Sequence, residues 1–162
     1  MNLKEILSVP GKSGLYKLVS KGKNSFIIES LADGSRMPIF ASHQSSALND
    51  ICVFTSDRDV PLKEVFERIF QDAQGDKVAE NKIKIVSELK NYMEKILPDY
   101  DKNRVHVSDM KKIFTWYNIL HEHNLLSFDE TNVDDETKAD NDTQTNDEIK
   151  TEEENTKTDN EN

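Results

Sequence analysis

Apolar positions change their spacing twice along the chain, and each change marks a change of element. Leu3, Ile6 and Leu7 share one helical face before Pro10 and Gly11, which predicts a leading helix of about two turns. From Gly14 to Thr55 the spacing becomes that of strands. Leu15–Ser20, Ser25–Leu31, Arg36–Ala41 and Ile51–Thr55 are short and rich in β-branched and aromatic residues. Asp33-Gly34 between two of them is a hairpin signal, because both residues accept positive φ. Pro38 donates no backbone hydrogen bond, so its strand belongs at an edge or a bend. The connection Ser42–Asp50 has room for a further brief strand or one helical turn.

At Pro61 the spacing returns to about 3.6 residues per turn. Leu62, Val65, Phe66 and Ile69 mark an amphipathic helix with Asp59 as its expected N-cap and Pro61 in its first turn. Gln74-Gly75-Asp76 breaks the chain. A longer helix is expected over Ala79–Leu97, with Ile85, Val86, Leu89, Met93 and Ile96 inward and Pro98 ending it. A third helix, capped by Ser108, carries Met110, Ile113, Phe114, Tyr117 and Leu120, with Leu125 as a candidate last position. The pattern predicts an α+β protein. A short helix leads a small antiparallel β-barrel, SH3-like or Sm-like, over 1–60. A helical domain of about three helices follows over 61–128.

Charge separates a third segment. The 162 residues hold 21 Lys+Arg and 31 Asp+Glu, a formal net of −10, but residues 129–162 alone hold 14 acidic and 3 basic side chains. Residues 1–128 are left with 17 acidic and 18 basic, a net of +1. The last 34 residues carry only Val133, Ala139 and Ile149 as apolar side chains. Such a segment cannot offset the ordering entropy of about 1–2 kcal/mol per residue, and a disordered acidic tail is expected. No apolar run approaches the roughly 20 residues of a membrane helix. The start lacks the basic and uncharged apolar regions of a signal peptide, and Cys52 has no second cysteine to pair with. These features predict a cytoplasmic protein without a membrane partner.

Few motifs carry chemistry. Gly11-Lys12-Ser13 resembles the end of a phosphate-binding loop, but Ile6 stands where that loop needs its first glycine, and Pro10 removes a donor. A plain turn fits better. His121-Glu122-His123 places its imidazoles about 200° apart on a helix, so they do not converge on one ion, and a helix end is the simpler reading. Ser45 and Ser46 lie near His43 only along the chain, and Cys52 reads as a small buried or half-buried strand residue. No catalytic residue, metal ligand or cofactor site is expected.

Two features suggest binding. Lys12, Lys17, Lys21, Lys23 and Arg36 fall near the first two hairpins with Tyr16 and Phe26 among them. Small barrels bind single-stranded nucleic acid through cations and stacking aromatics, although a solvated sheet face with edge-protecting lysines explains the same cluster more simply. Trp116 lies off the apolar stripe of its helix and is the candidate anchor of a protein interface.

The run Asn2-Leu-Lys-Glu-Ile-Leu-Ser-Val-Pro-Gly-Lys-Ser-Gly-Leu-Tyr-Lys-Leu-Val-Ser, with Phe26-Ile-Ile-Glu-Ser-Leu-Ala-Asp-Gly and Val60-Pro-Leu-Lys-Glu-Val-Phe, resembles a Bacteroidota-type family known as a domain of unknown function. The resemblance covers about residues 2–70 and extends more loosely to 128. It implies a cytoplasmic bacterial protein and carries no catalytic or binding residues. The expected function is a non-enzymatic protein-interaction or regulatory module with an unknown protein partner. The alternative is weak single-stranded nucleic-acid binding modulated by the acidic tail.

Overall fold

The structure, a computed structural model, describes residues 2–40 and 45–128. The expected acidic tail (129–162), His43 and the final residue of the Arg36–Ala41 strand lie outside the described residues. The sheet is antiparallel and five-stranded: β1 (Ile6–Ser8), β2 (Tyr16–Lys21), β3 (Ser25–Ser30), β4 (Arg36–Phe40) and β5 (Ser46–Ala47), in the order β4-β3-β2-β1-β5. A 3-10 turn (Leu48–Asp50) leads to a separate two-stranded sheet of β6 (Cys52–Phe54) and β7 (Asp59–Pro61). The helices are α1 (Leu62–Asp72), the single-turn α2 (Glu80–Lys84), α3 (Val86–Ile96) and α4 (Val107–Glu122).

The expected closed SH3-like barrel is an open sheet. Its ordered edges, β4 and β5, are not bonded to each other, and β6 has left to pair with β7. The physical reason is visible at Val53 and Val60, which sit opposite each other and turn into the helical core. Leu62 N–H also donates to Ile51 C=O at 2.9 Å, which ties that hairpin to α1. The open sheet still shields itself. Leu7, Val9, Tyr16, Ile28 and Ile39 form a second buried cluster, and all its members come from the sheet and its first turn. Ile28 is fully buried among them. A register shift between Leu18 and Ser20 supplies local twist, and Pro38 lies in an edge strand as its missing donor requires.

The leading segment is not a helix. Residues 6–8 pair with both β2 and β5, so Ile6 and Leu7 point to opposite faces. Ile6 joins the helical core and Leu7 the sheet cluster. Spacing over five residues cannot separate these readings, and pairing on both sides decided it. One core therefore crosses residue 60, where the sequence suggested a boundary. Leu3, Ile6, Leu15 and Leu48 pack in the same cluster as Phe66, Leu89, Phe114 and Tyr117.

Helix α1 buries the four expected apolar residues, with Pro61 rather than Asp59 at the N-cap. The expected helix from Ala79 to Leu97 is broken at Ile85, whose backbone is extended (φ −89°, ψ 118°). Ile83, Ile85 and Val86 crowd β-branched side chains into one turn, which weakens helix there. Ile85 and Val86 are accordingly exposed (50 % and 46 %) rather than inward, whereas Leu89, Met93 and Ile96 are buried. Helix α4 begins after His106, not Ser108, and the Asp109 carboxylate accepts from His106 N–H at 3.2 Å.

Three residues of α4 hold the segment that follows α1. Asn118 accepts from Val78 N–H at 2.8 Å and donates to Val78 C=O at 2.9 Å. Tyr117 donates its hydroxyl to Asp76 C=O at 3.0 Å, and burial together with the nearby Asp76 charge pushes its phenol up to about 12. His121 Nε2 lies 2.8 Å from Gly75 C=O. Among the described residues no helix is long and apolar enough to cross a membrane.

Asn118→Ala leaves both polar groups of the buried Val78 backbone without their partner, so it should cost about 2–4 kcal/mol. Tyr117→Phe should cost only about 1 kcal/mol. Urea unfolding measures both, and equal costs would contradict the double clamp.

Acid should loosen α1. Burial opposes ionisation of Glu64, but hydrogen bonds from Arg68 and Arg58 outweigh it and hold its carboxyl below the usual range. Lys95 does the same for Asp72. A depressed carboxyl stabilises the fold above its unfolded pKa, and that contribution is lost as pH falls through the lower folded value. The melting temperature should therefore drop from about pH 6 to about pH 3, and drop less steeply for Glu64→Gln. Parallel curves for the two proteins would show that Glu64 contributes nothing to the acid response.

Candidate functional site

The buried stripe of α4 consists of Met110, Ile113, Phe114, Tyr117 and Leu120. Its neighbours at Lys112 and Trp116, four residues apart, share the adjoining face. Trp116 is half-buried there and forms a wall common to two surface clefts. The first, of about 310 Å³, lies between β6 and α4 and is lined by Cys52, Val53, Phe54, Arg104, Ile113 and Trp116, among others. The second, of about 440 Å³, lies between the Pro10–Gly14 turn and α4, with Lys12, Lys111, Lys112 and Thr115 on its walls. Lys112 also belongs to both. The two clefts have Trp116 and Lys112 as a common wall, and the pair of them is the groove across Trp116.

Local chemistry explains each wall. Gly11 (φ 77°) and Gly14 (φ 86°) take left-handed conformations that let β1 turn tightly into β2. Lys12 N–H donates to Val9 C=O at 3.1 Å, so Gly11-Lys12-Ser13 forms a turn. On the other side β6 alternates: Val53 points into the core, and Cys52 and Phe54 point outward. Cys52 is exposed, not buried as its apolar neighbours suggested. The Arg104 guanidinium lies 3.4 Å above the Phe54 ring centroid, a stacked cation–π contact.

The expected basic cluster is dispersed. Lys17 stands opposite Glu29, and Arg36 donates to Glu29 at 2.6 Å, so one carboxylate sits between both cations. Lys21 pairs across to Phe26, two residues from Ile28 in the second cluster, and Lys23 lies in the turn beyond it. Lys12 is at the opposite end of β2, a strand of six residues and so about 20 Å long. Tyr16 is buried, with its hydroxyl on Ser13 C=O at 3.3 Å, and Phe26 packs against the second cluster. Of the five cations only Lys12 reaches the groove with Trp116.

Sequence reasoning missed Lys111, Lys112 and Arg104. The signal for the lysines was present: on a helix whose core stripe includes Phe114 and Tyr117, Lys111–Thr115 and Lys112–Trp116 are i,i+4 pairs outside that stripe. Arg104 depends on a tertiary contact and had no local signal. His121-Glu122-His123 divides between structural roles, with His121 on Gly75 and Glu122 paired to Lys77 at 2.5 Å. Among the described residues no three His, Cys, Asp or Glu side chains gather as a metal set. A third cleft beside α3 holds Lys102 and Glu94, but these are paired to each other at 2.9 Å.

Two family models divide the body between them. A domain of unknown function (DUF5606) matches residues 3–48, and another (DUF6852) matches residues 51–120. A Bacteroides vulgatus protein solved by solution NMR is 42 % identical, with 78 % of this chain and 91 % of that one covered and a TM-score of 0.64. The chain belongs to this Bacteroidota-type family. No curated protein matches it. The family junction at residues 48–51 falls in the 3-10 turn, where the five-stranded sheet ends and the β6–β7 hairpin begins. The groove draws its walls from both matched regions.

The chain has one cysteine and one tryptophan, and both line the first cleft. A nitroxide attached to Cys52 should therefore react readily in the folded protein and strongly quench Trp116 emission. Unchanged emission after complete labelling would contradict the shared cleft.

Proposed function

We propose that the protein is a cytoplasmic, non-enzymatic binding module whose contact surface is the groove across Trp116. The observation that carries this reading is the position of Trp116, half-buried, off the core stripe and common to two clefts. A large aromatic held on a rigid helix loses little entropy on contact and offers much apolar area, which is how interface anchors work.

The test compares three forms of the full chain as baits in extracts of the native cell: unmodified, Trp116→Ala, and protein blocked at Cys52 with a bulky maleimide. A stoichiometric ligand should be recovered by the first and lost about tenfold or more by the other two, with all three folded by circular dichroism. Equal recovery by all three would remove the groove from the binding surface.

A further inference from the structure

We propose that the groove across Trp116 takes single-stranded nucleic acid, with phosphates against Lys12, Lys111 and Lys112 and a base stacked on the indole. This rests on the reading of the groove as the contact surface and names the chemistry of its ligand.

Charge is the first argument. The cleft between the Pro10–Gly14 turn and α4 is lined by three lysines and no carboxylate. Lys12 and Lys111 have no ion-pair partner among the described residues, whereas Lys112 approaches Asp109 only at 3.8 Å. Asp109 lines only the neighbouring cleft, with Oδ2 on His106 N–H and Oδ1 toward Lys112. Three lysines on the walls of one cleft that holds no carboxylate favour an anion there. Ser13 and Thr115 add hydroxyl donors to the same walls. Lys17 and Arg36, by contrast, share Glu29.

The second argument is the company these lysines keep. Trp116 and Lys112 line both clefts, Lys12 and Lys111 the one beside the turn, and Asp109 and the stacked pair Arg104 and Phe54 the other. Cations beside an indole are the combination that lets a single strand set phosphates and a base against one surface. An acidic peptide would need the cations and leave the stacking surfaces without a purpose. The two clefts, about 310 and 440 Å³, have the size of small-ligand sites rather than of a duplex footprint. Because the body carries a net of only +1, affinity must come from these local contacts and fall with salt.

The sole tryptophan makes the site report on itself. The full chain is titrated with a decanucleotide of uridine, reading Trp116 emission and, with a labelled strand, anisotropy. We expect quenching together with binding, and a plot of log affinity against log salt with a slope of about −2, for three neutralised phosphates. The double variant Lys111→Gln/Lys112→Gln should bind about tenfold more weakly and remain folded, since both side chains are exposed. Trp116→Ala should lose about tenfold by anisotropy. The proposal is overturned by absence of binding at about 50 mM salt. It is also overturned if a polyglutamate peptide binds in the groove while the oligonucleotide does not.

The failures are separable. If the oligonucleotide does not bind but Trp116-dependent recovery from extracts survives nuclease, the binding module stands and its ligand is not nucleic acid. If the oligonucleotide binds and no groove variant changes its affinity, the groove assignment fails as well.

Discussion

Helix α4 is held from two directions, and that double hold sets the orientation on which the rest of the surface depends. On one side Met110, Ile113, Phe114, Tyr117 and Leu120 are buried in a core that extends from Leu3 to the last helix. On the other, Tyr117, Asn118 and His121 engage the backbone of Gly75, Asp76 and Val78. Apolar burial is not directional, so packing alone would allow the helix to roll. The hydrogen bonds to Gly75, Asp76 and Val78 are directional and oppose that rotation. With α4 fixed, Lys112 and Trp116 must face the β1–β2 turn and β6. The groove follows from the clamp.

The same hold explains why sheet and helices form one body. A five-stranded sheet with its own buried cluster still leaves Ile6 and Leu15 outside that cluster. Those residues enter the helical core, and the β6–β7 hairpin is drawn away from the sheet by Val53 and Val60. Closing the barrel would have buried these valines against strands and left the faces of α1 and α4 wet. Opening it satisfies both.

What could be read from the sequence divides along the same physical line. Strands β2, β3 and β4, the edge position of Pro38, helix α1 and the inner face of α4 were legible, because each is written in local periodicity and turn chemistry. Strand β1 was read as helix since Leu3, Ile6 and Leu7 fit either period over so short a run. The break at Ile85 was missed because inward-looking spacing outvoted the weak helix propensity of adjacent β-branched residues. Trp116 was identified as lying outside the stripe, and the structure places it on the groove wall. The rest of the site was not legible. Lys12, Arg104 and Cys52 join Trp116 only through tertiary packing, and the apparent basic face came from sequence neighbours that the register sends to opposite ends and faces of β2.

The claim that α4 presents its one indole to both clefts can be read directly in solution. In a nuclear Overhauser spectrum of the full chain, the Trp116 ring protons should show cross-peaks to the Pro10–Gly14 turn on one side and to β6 on the other. Cross-peaks to one side only, or to the Phe114 and Tyr117 rings in place of both, would mean that α4 is turned differently and that the groove does not exist.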